Sequence, residues 1–309
     1  MRGVRKHRPS GPPWVAGDSR VGRVPVAPSA PSSIWRSGSD HRPPPPAPPA
    51  VLVGRGLVRR FGETVALAGV DLAIGRGEAV AAMGPSGSGR SSLLHCLAGI
   101  EVADHGEVWL GLERIDHQGE RARTALRRRR FGFVSQSGHL LPELLAEENV
   151  ALPLMLEGRT RRRAVVEARR WFGPLGLDGL EKRLPGELSG GQAQRVTIAR
   201  ALVTNPAVVF ADEPTAALDR TTGHDVVALL VQATRTSGSG LLIVTHDPEV
   251  ARACDRVVVL RDGVVDAGSP GRATGPAVPA ASTSPPPPPP PPPVGPAPAI
   301  WINPVVGAG

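Results

Sequence analysis

The hydrophobic and polar positions of this chain change period several times. From Val51 to Ile74 apolar and polar residues alternate, with turn signals near Gly62 and Gly69. Alternation of period two predicts two short strands, paired antiparallel. Ala79–Met83 is continuously apolar, as expected of a buried strand, and a glycine-rich stretch separates it from the helical pattern Ser92–Ala98. Gly106–Gly111 and Phe131–Ser135 read as further strands. Beyond Gln136 the character shifts to Leu- and Arg-rich segments, such as Arg162–Leu175, with helical periodicity. A helix over Ala193–Leu202 would bury Val196, Ile198, Ala199 and Leu202 on one face. Ala207–Ala211 and Leu241–Thr245 are unbroken apolar runs, the mark of central parallel strands. A helix near Thr222–Thr234 lies between them, and Arg256–Leu260 with Gly263–Val265 completes the sheet.

The pattern therefore predicts an α/β chain with a mainly parallel sheet, a small antiparallel β part and a helical insertion at about 137–188. Composition limits this fold to roughly residues 51–267. Residues 1–50 are rich in Pro, Ser, Gly and Arg, and residues 268–309 contain an unbroken proline run from Pro285 to Pro293. Neither end has enough apolar content to offset chain entropy, so both are expected to be disordered tails. The middle is large enough for one substantial core.

Charge changes the picture less than its total suggests. Of the net +8, residues 1–50 carry eight Lys/Arg against two Asp/Glu, whereas 268–309 carry only Arg272. The expected folded part is close to neutral, so a specific nucleic-acid partner is not expected. The basic run Arg127–Arg130 reads as a solvated helix end. Cys96 and Cys254 lack metal-ligand spacing and read as core thiols in a reducing compartment. No apolar run reaches the roughly 18 residues that would span a bilayer.

The candidate chemistry lies where apolar strands end in polar residues. Gly84-Pro85-Ser86-Gly87-Ser88-Gly89-Arg90-Ser91 follows one such strand and leads into a helix. Strand, glycine-rich loop and helix form a phosphate cradle, in which backbone N–H groups and a helix N-terminus face an anion. The spacing matches G-x-x-x-x-G-K-[ST] except for Arg90, which stands at the lysine position. Asp212-Glu213 follows a second strand and His246 a third. Ligands of open parallel sheets bind at these carboxyl ends.

These pieces, with Gln136, Leu188-Ser189-Gly190-Gly191-Gln192 and Ala217-Leu218-Asp219, occur in the order and spacing of ABC transporter ATP-binding subunits. The chain resembles that family over essentially residues 51–267. Gly132-Phe133-Val134, Leu140-Leu141-Pro142, Glu148-Asn149-Val150 and Ala211-Asp212-Glu213-Pro214-Thr215 resemble its lipoprotein-release and macrolide-export subfamily. The resemblance implies a P-loop NTPase core that binds ATP and Mg²⁺. It implies that Gly84–Ser91 wraps the phosphates, with Ser92 beside them. Ser91, Asp212 and Gln136 would serve the metal, Glu213 would activate water, and His246 would contact the γ-phosphate. Phe61 would stack on adenine, although an aromatic there more often serves the core. Ser189, Gly190, Gly191, Gln192 and Asp219 would complete the site of a second ATP-binding subunit. A transmembrane permease would hold this dimer on the cytoplasmic face of the cell membrane, and the region from Gln136 through Asn149 would contact a permease helix. The cargo expected from the resemblance is lipid-like, lipoprotein or drug-like.

Arg90 bears on hydrolysis. A lysine ammonium reaches the β- and γ-phosphates as a compact point; a guanidinium is longer, planar and forked. Losing a charge-assisted contact costs about 1.5–3 kcal/mol, and a shift of about 1 Å can cost on the order of a hundredfold in rate. Weakened hydrolysis with less affected binding is therefore expected, unless Ser92 and the small residues Ala79–Ala82 give Arg90 a productive pose. Three readings follow: an active transport ATPase, a degenerate subunit of a heterodimer, and a nucleotide-binding regulatory module.

Overall fold

The computed structural model describes residues 50–136 and 138–266. The expected tails, apart from Ala50, lie outside these residues.

Two sheets form the frame. β1 (Ala50–Phe61) and β2 (Thr64–Gly75) are an antiparallel ribbon, joined by β4 (His105–Leu110) and β5 (Glu113–Arg114) in the order β2-β1-β4-β5. The first two strands are long rather than short. Gly62 sits in the turn between them, but Gly69 does not end a strand. The pairing steps from Leu57↔Val70 to Val58↔Ala68, which leaves Gly69, at φ +92°, as the extra residue of a bulge. A positive-φ glycine inside a strand bends the ribbon without breaking it.

The second sheet has the order β10-β9-β3-β8-β7-β6. β3 (Ala79–Met83), β6 (Phe131–Ser135), β7 (Val208–Asp212), β8 (Gly240–Val244) and β9 (Arg256–Arg261) run parallel, and β10 (Val264–Val265) turns back antiparallel on β9. The apolar runs are apolar because both faces of these strands are covered. Period two sorts their residues. Val208, Phe210, Leu242 and Val244 join a core with β1, β2, β4 and α1 (Arg90–Leu97). Val209, Ala211, Leu241 and Ile243 join a core with α3 (Ala146–Leu156), α4 (Arg161–Arg169), α5 (Gly190–Leu202) and α6 (Arg220–Ser237). Phe210 packs edge-on to Phe131 and stacks on Phe133, with ring centroids 5.2 and 5.6 Å away.

Several helix boundaries differ from expectation for local reasons. The periodic run Arg162–Leu175 is not one helix: α4 ends at Arg169, and Gly173-Pro174-Leu175 forms a separate 3₁₀ turn. α5 begins at Gly190, before the first apolar-periodic residue, because Ser189 caps it. α6 begins at Arg220 for the same reason, with Asp219 as its cap. The basic run ends α2 (Glu120–Arg130). Arg128, Arg129 and Arg130 are exposed as expected, but Arg127 is tied to Glu120, Thr124 and the carbonyl of Gly99. Cys96 is buried, Cys254 is half-buried and both are free thiols. Among the described residues no helix is long and apolar enough to cross a membrane.

Candidate functional site

The glycine-rich loop is wedged between two backbones. A Cβ at Gly84 would lie 2.3 Å from the carbonyl oxygen of Leu260, and one at Gly89 would lie 2.1 Å from that of Ala66. Both glycines have positive φ, 155° and 96°. No other residue type fits either position. The Ser88 N–H donates to the Pro85 carbonyl at 3.1 Å, while the Ser88 hydroxyl is buried without a hydrogen-bond partner. Gly89 caps α1 without a side-chain hydrogen bond. The loop therefore offers an anion a free helix start and an orphaned hydroxyl behind exposed Pro85, Ser86 and Gly87.

Asp212 ends β7 and Glu213 follows it. Asp212 is half-buried; burial, then the neighbouring Glu213 charge, pushes its carboxyl above the ordinary range, against opposing pulls from His95 and Arg90. Glu213 adopts φ +44°, which a non-glycine residue holds only when its surroundings enforce it. Here they do. Its N–H donates to the Val244 carbonyl at 2.9 Å. Its Oε1 accepts from Arg90 Nη1 at 3.0 Å and lies 2.8 Å from His246 Nδ1. Its Oε2 accepts from the buried Thr245 hydroxyl at 3.3 Å. The loop after β3, the acidic pair that closes β7 and the histidine after β8 thus meet at the carboxyl end of the sheet.

The hard oxygen donors Ser91 and Asp212 suit Mg²⁺, which keeps waters and phosphate oxygens among its ligands. No group of three or more His, Cys, Asp or Glu among the described residues forms a closed metal site. The donor set thus fits a metal that arrives with a phosphate ligand. Gln136 lies exposed immediately beyond Ser135, whose strand partner is Asp212.

The chain on both sides of Gln136 is gripped by α5, a feature the sequence reading missed. Gln194 Nε2 donates to the Ser135 carbonyl at 3.1 Å, and the Thr197 hydroxyl to that of Gly138 at 3.3 Å. Arg200 donates to the carbonyls of Gly138 and His139 at 2.5 and 2.8 Å. Burial pushes the Arg200 guanidinium below its ordinary pKa. The available signal was polar residues at 194, 197 and 200 on an otherwise apolar helix face.

Ser189, Gly190, Gly191, Gln192 and Asp219 form a second cluster at the starts of α5 and α6. Ser189 and Gln192 make a reciprocal capping box: the Ser189 hydroxyl accepts from the Gln192 N–H at 3.3 Å, and the Gln192 amide oxygen from the Ser189 N–H at 2.9 Å. The Asp219 carboxylate accepts from the Thr222 side of α6, its backbone N–H at 3.0 Å. Phe61 ends β1 at 47% exposure, with the Arg59 guanidinium 4.7 Å from its ring centroid. A further cleft, about 600 Å³ in volume, lies beside Ile100, Phe133, Leu152, Pro153, Leu156 and Arg200.

Comparison with known proteins gives the family of the chain. A family model described as "ABC transporter" matches residues 67–216. The lipoprotein-releasing system ATP-binding protein LolD of Bordetella pertussis is 47% identical over 197 residues, covering 64% of this chain and 85% of that protein. LolD of Porphyromonas gingivalis is 40% identical over 215 residues, 70% of this chain and 98% of that protein. Among solved structures, a dimeric ATP-binding cassette in a post-hydrolysis state, bound to ADP and Pi, matches with TM-score 0.63 and 36% identity, covering 70% of this chain and 96% of that one. A cassette from Clostridium perfringens, part of an ABC transporter complex, matches with TM-score 0.65 and 28% identity, covering 71% and 87%. The chain belongs to the ABC transporter family of ATP-binding proteins and is an ATPase.

Proposed function

We propose that this ATPase is the ATP-binding subunit of a transporter of the lipoprotein-release type, in which two such subunits drive a separate membrane permease from the cytoplasmic face. The observation that carries the proposal is the meeting of Arg90, Glu213 and His246 across the carboxyl ends of β3, β7 and β8. The relatives' names support the lipoprotein-release assignment. The cleft between α3 and β6, with Leu156 60% exposed beside it, is suited to an apolar permease helix.

In the proposed reaction the Gly84–Ser91 backbone and Arg90 hold the phosphates, and Phe61 stacks on the base. Ser91, Asp212 and Gln136 would hold Mg²⁺, which would supply charge neutralisation at the phosphates. Glu213 accepts the proton of a water whose oxygen bonds to the γ-phosphorus. The bond from that phosphorus to the β–γ bridging oxygen breaks, and ADP leaves with its electrons. His246 steadies the γ-phosphate. Ser189, Gly190, Gly191, Gln192 and Asp219 close over the nucleotide of the second subunit, so each site needs two chains.

The test is steady-state ATP turnover of the full chain beside Arg90→Lys, with Glu213→Gln as the blank. Turnover above the blank that Lys barely raises supports a site adapted to arginine. Turnover equal to the blank and restored by Lys points instead to a subunit that depends on a partner's intact site. The contact between Arg90 and Glu213 makes this second reading specific. For the permease, Leu156→Arg should abolish co-purification with a co-expressed permease while leaving turnover of the isolated chain in place.

A further inference from the structure

The arginine of the phosphate loop is already occupied. Arg90 Nη1 donates to Glu213 Oε1 at 3.0 Å, and the two side chains are only 12% and 19% exposed. The residues are 123 positions apart in sequence, so the contact is built by the sheet and not by local chain geometry. Glu213 is fixed for it from behind by its φ of +44°, by Thr245 and by His246. A guanidinium terminus lies one bond farther from the backbone than a lysine ammonium and is a planar fork. It therefore reaches from the start of α1 across to the end of β7 while its own backbone remains in the cradle.

We propose that Glu213 and the nucleotide phosphates compete for Arg90. In the resting site Arg90 binds the carboxylate that is to activate water. An arriving nucleotide draws the guanidinium to its phosphates, and only then does Glu213 Oε1, still beside His246 Nδ1, give up the Arg90 bond and become able to receive a proton. Arg90 thus acts on the reaction as a positioning residue for Glu213 as well as a phosphate ligand. This inference rests on the ATPase assignment but not on the permease reading, and its test needs neither turnover nor a permease.

The experiment is a double-substitution cycle read by calorimetric titration of ADP into the full chain without Mg²⁺. ADP avoids both hydrolysis and ATP-driven closure of a dimer. Glu213→Gln removes the competing charge and should tighten ADP binding about tenfold when Arg90 is present. In the Arg90→Met background the same change should alter ADP affinity less than twofold. Equal tightening in both backgrounds would reduce Glu213 to a general repulsion of phosphate and overturn the proposal. No tightening with Arg90 present would overturn it too, since Arg90 would then hold both partners or neither. A second readout covers poor folding: without nucleotide, the two substitutions should lower the thermal midpoint together by less than the sum of each alone. Plain additivity would mean that no pair exists in solution, and the proposal fails.

Discussion

A Cβ placed on Gly191 would lie 2.5 Å from Cγ2 of Thr222, so the glycine of the capping segment of α5 is in contact with the first turn of α6. Thr222 is branched at Cβ and half-buried, and it has little room to yield. Gly191→Ala should therefore destabilise the nucleotide-free chain by about 1–3 kcal/mol, despite alanine's better helix propensity. Thr222→Ser, which removes Cγ2, should recover most of the loss in the same background. Urea midpoints of the three variants check this. A defect that persists with Ser would mean that the contact between the helices is not its cause.

Asn149 is fully buried at the start of α3 and holds the preceding loop through four contacts. Its Oδ1 accepts from the Leu141 N–H at 2.7 Å, and its Nδ2 donates to the carbonyls of Leu141, Leu144 and Leu145 at 3.0, 2.9 and 3.3 Å. Asn149→Ala should cost about 2–4 kcal/mol, because a fully buried amide and all four of its hydrogen bonds to the loop backbone are lost. Asn149→Asp, which turns an acceptor toward three carbonyl oxygens, should cost at least as much at pH 7. Chemical denaturation of both variants measures the difference.

Asp212 gives a pH signature. Its folded-state pKa is raised, chiefly by burial. Its ionised form is thus less favoured in the folded chain than in the unfolded one. Stability is fully retained below the ordinary value of about 3.9 and falls as pH rises through the folded pKa. Without nucleotide, Asp212→Asn should raise the thermal midpoint at pH 7, and the advantage should fade on titrating toward pH 4. Scanning calorimetry across that range tests the sign. An advantage that grows as pH falls would contradict it.

Both thiols should be inert in the folded chain. Burial pushes Cys96 and Cys254 up to about 12, with Glu101 adding to the shift at Cys96. At pH 8 only about one thiol in ten thousand would be ionised, and the thiolate is the reacting form. An aromatic disulfide reagent should release its chromophore at negligible rate from native protein and yield two equivalents after denaturation. Fast release of one equivalent from the native chain would identify an opening motion at one of these positions.

The sequence made legible whatever depends on neighbours along the chain. The β3 strand, the loop at Gly84–Ser91, the apolar runs of β7 and β8, and the polar residues that close them are local signals, and the fold brings them to one end of the sheet. The subfamily words Leu140-Leu141-Pro142 and Glu148-Asn149-Val150 were legible as words, but not as the single clamp that Asn149 makes of them. Gly69 read as a turn because a positive-φ glycine signals equally well a turn or a bulge; only the strand partner decides. The starts of α5 and α6 were hidden because caps lie outside the apolar period. The resting partner of Arg90 was invisible because it lies 123 positions away and neither residue's local pattern points to the other. The grip of α5 left only a polar stripe at 194, 197 and 200, which does not name its partners at least 59 positions away.

That grip has a mechanical consequence. α5 is 13 residues long, a rod of about 20 Å. At its start it carries the Ser189–Gln192 box, and along its length it hooks three carbonyls on either side of Gln136, those of Ser135, Gly138 and His139. A rigid rod transmits rotation without storing it. Any tilt imposed at the Ser189 end must swing the chain beyond β6, and a pull on that chain must turn the Ser189 end in return. The two ends share one degree of freedom.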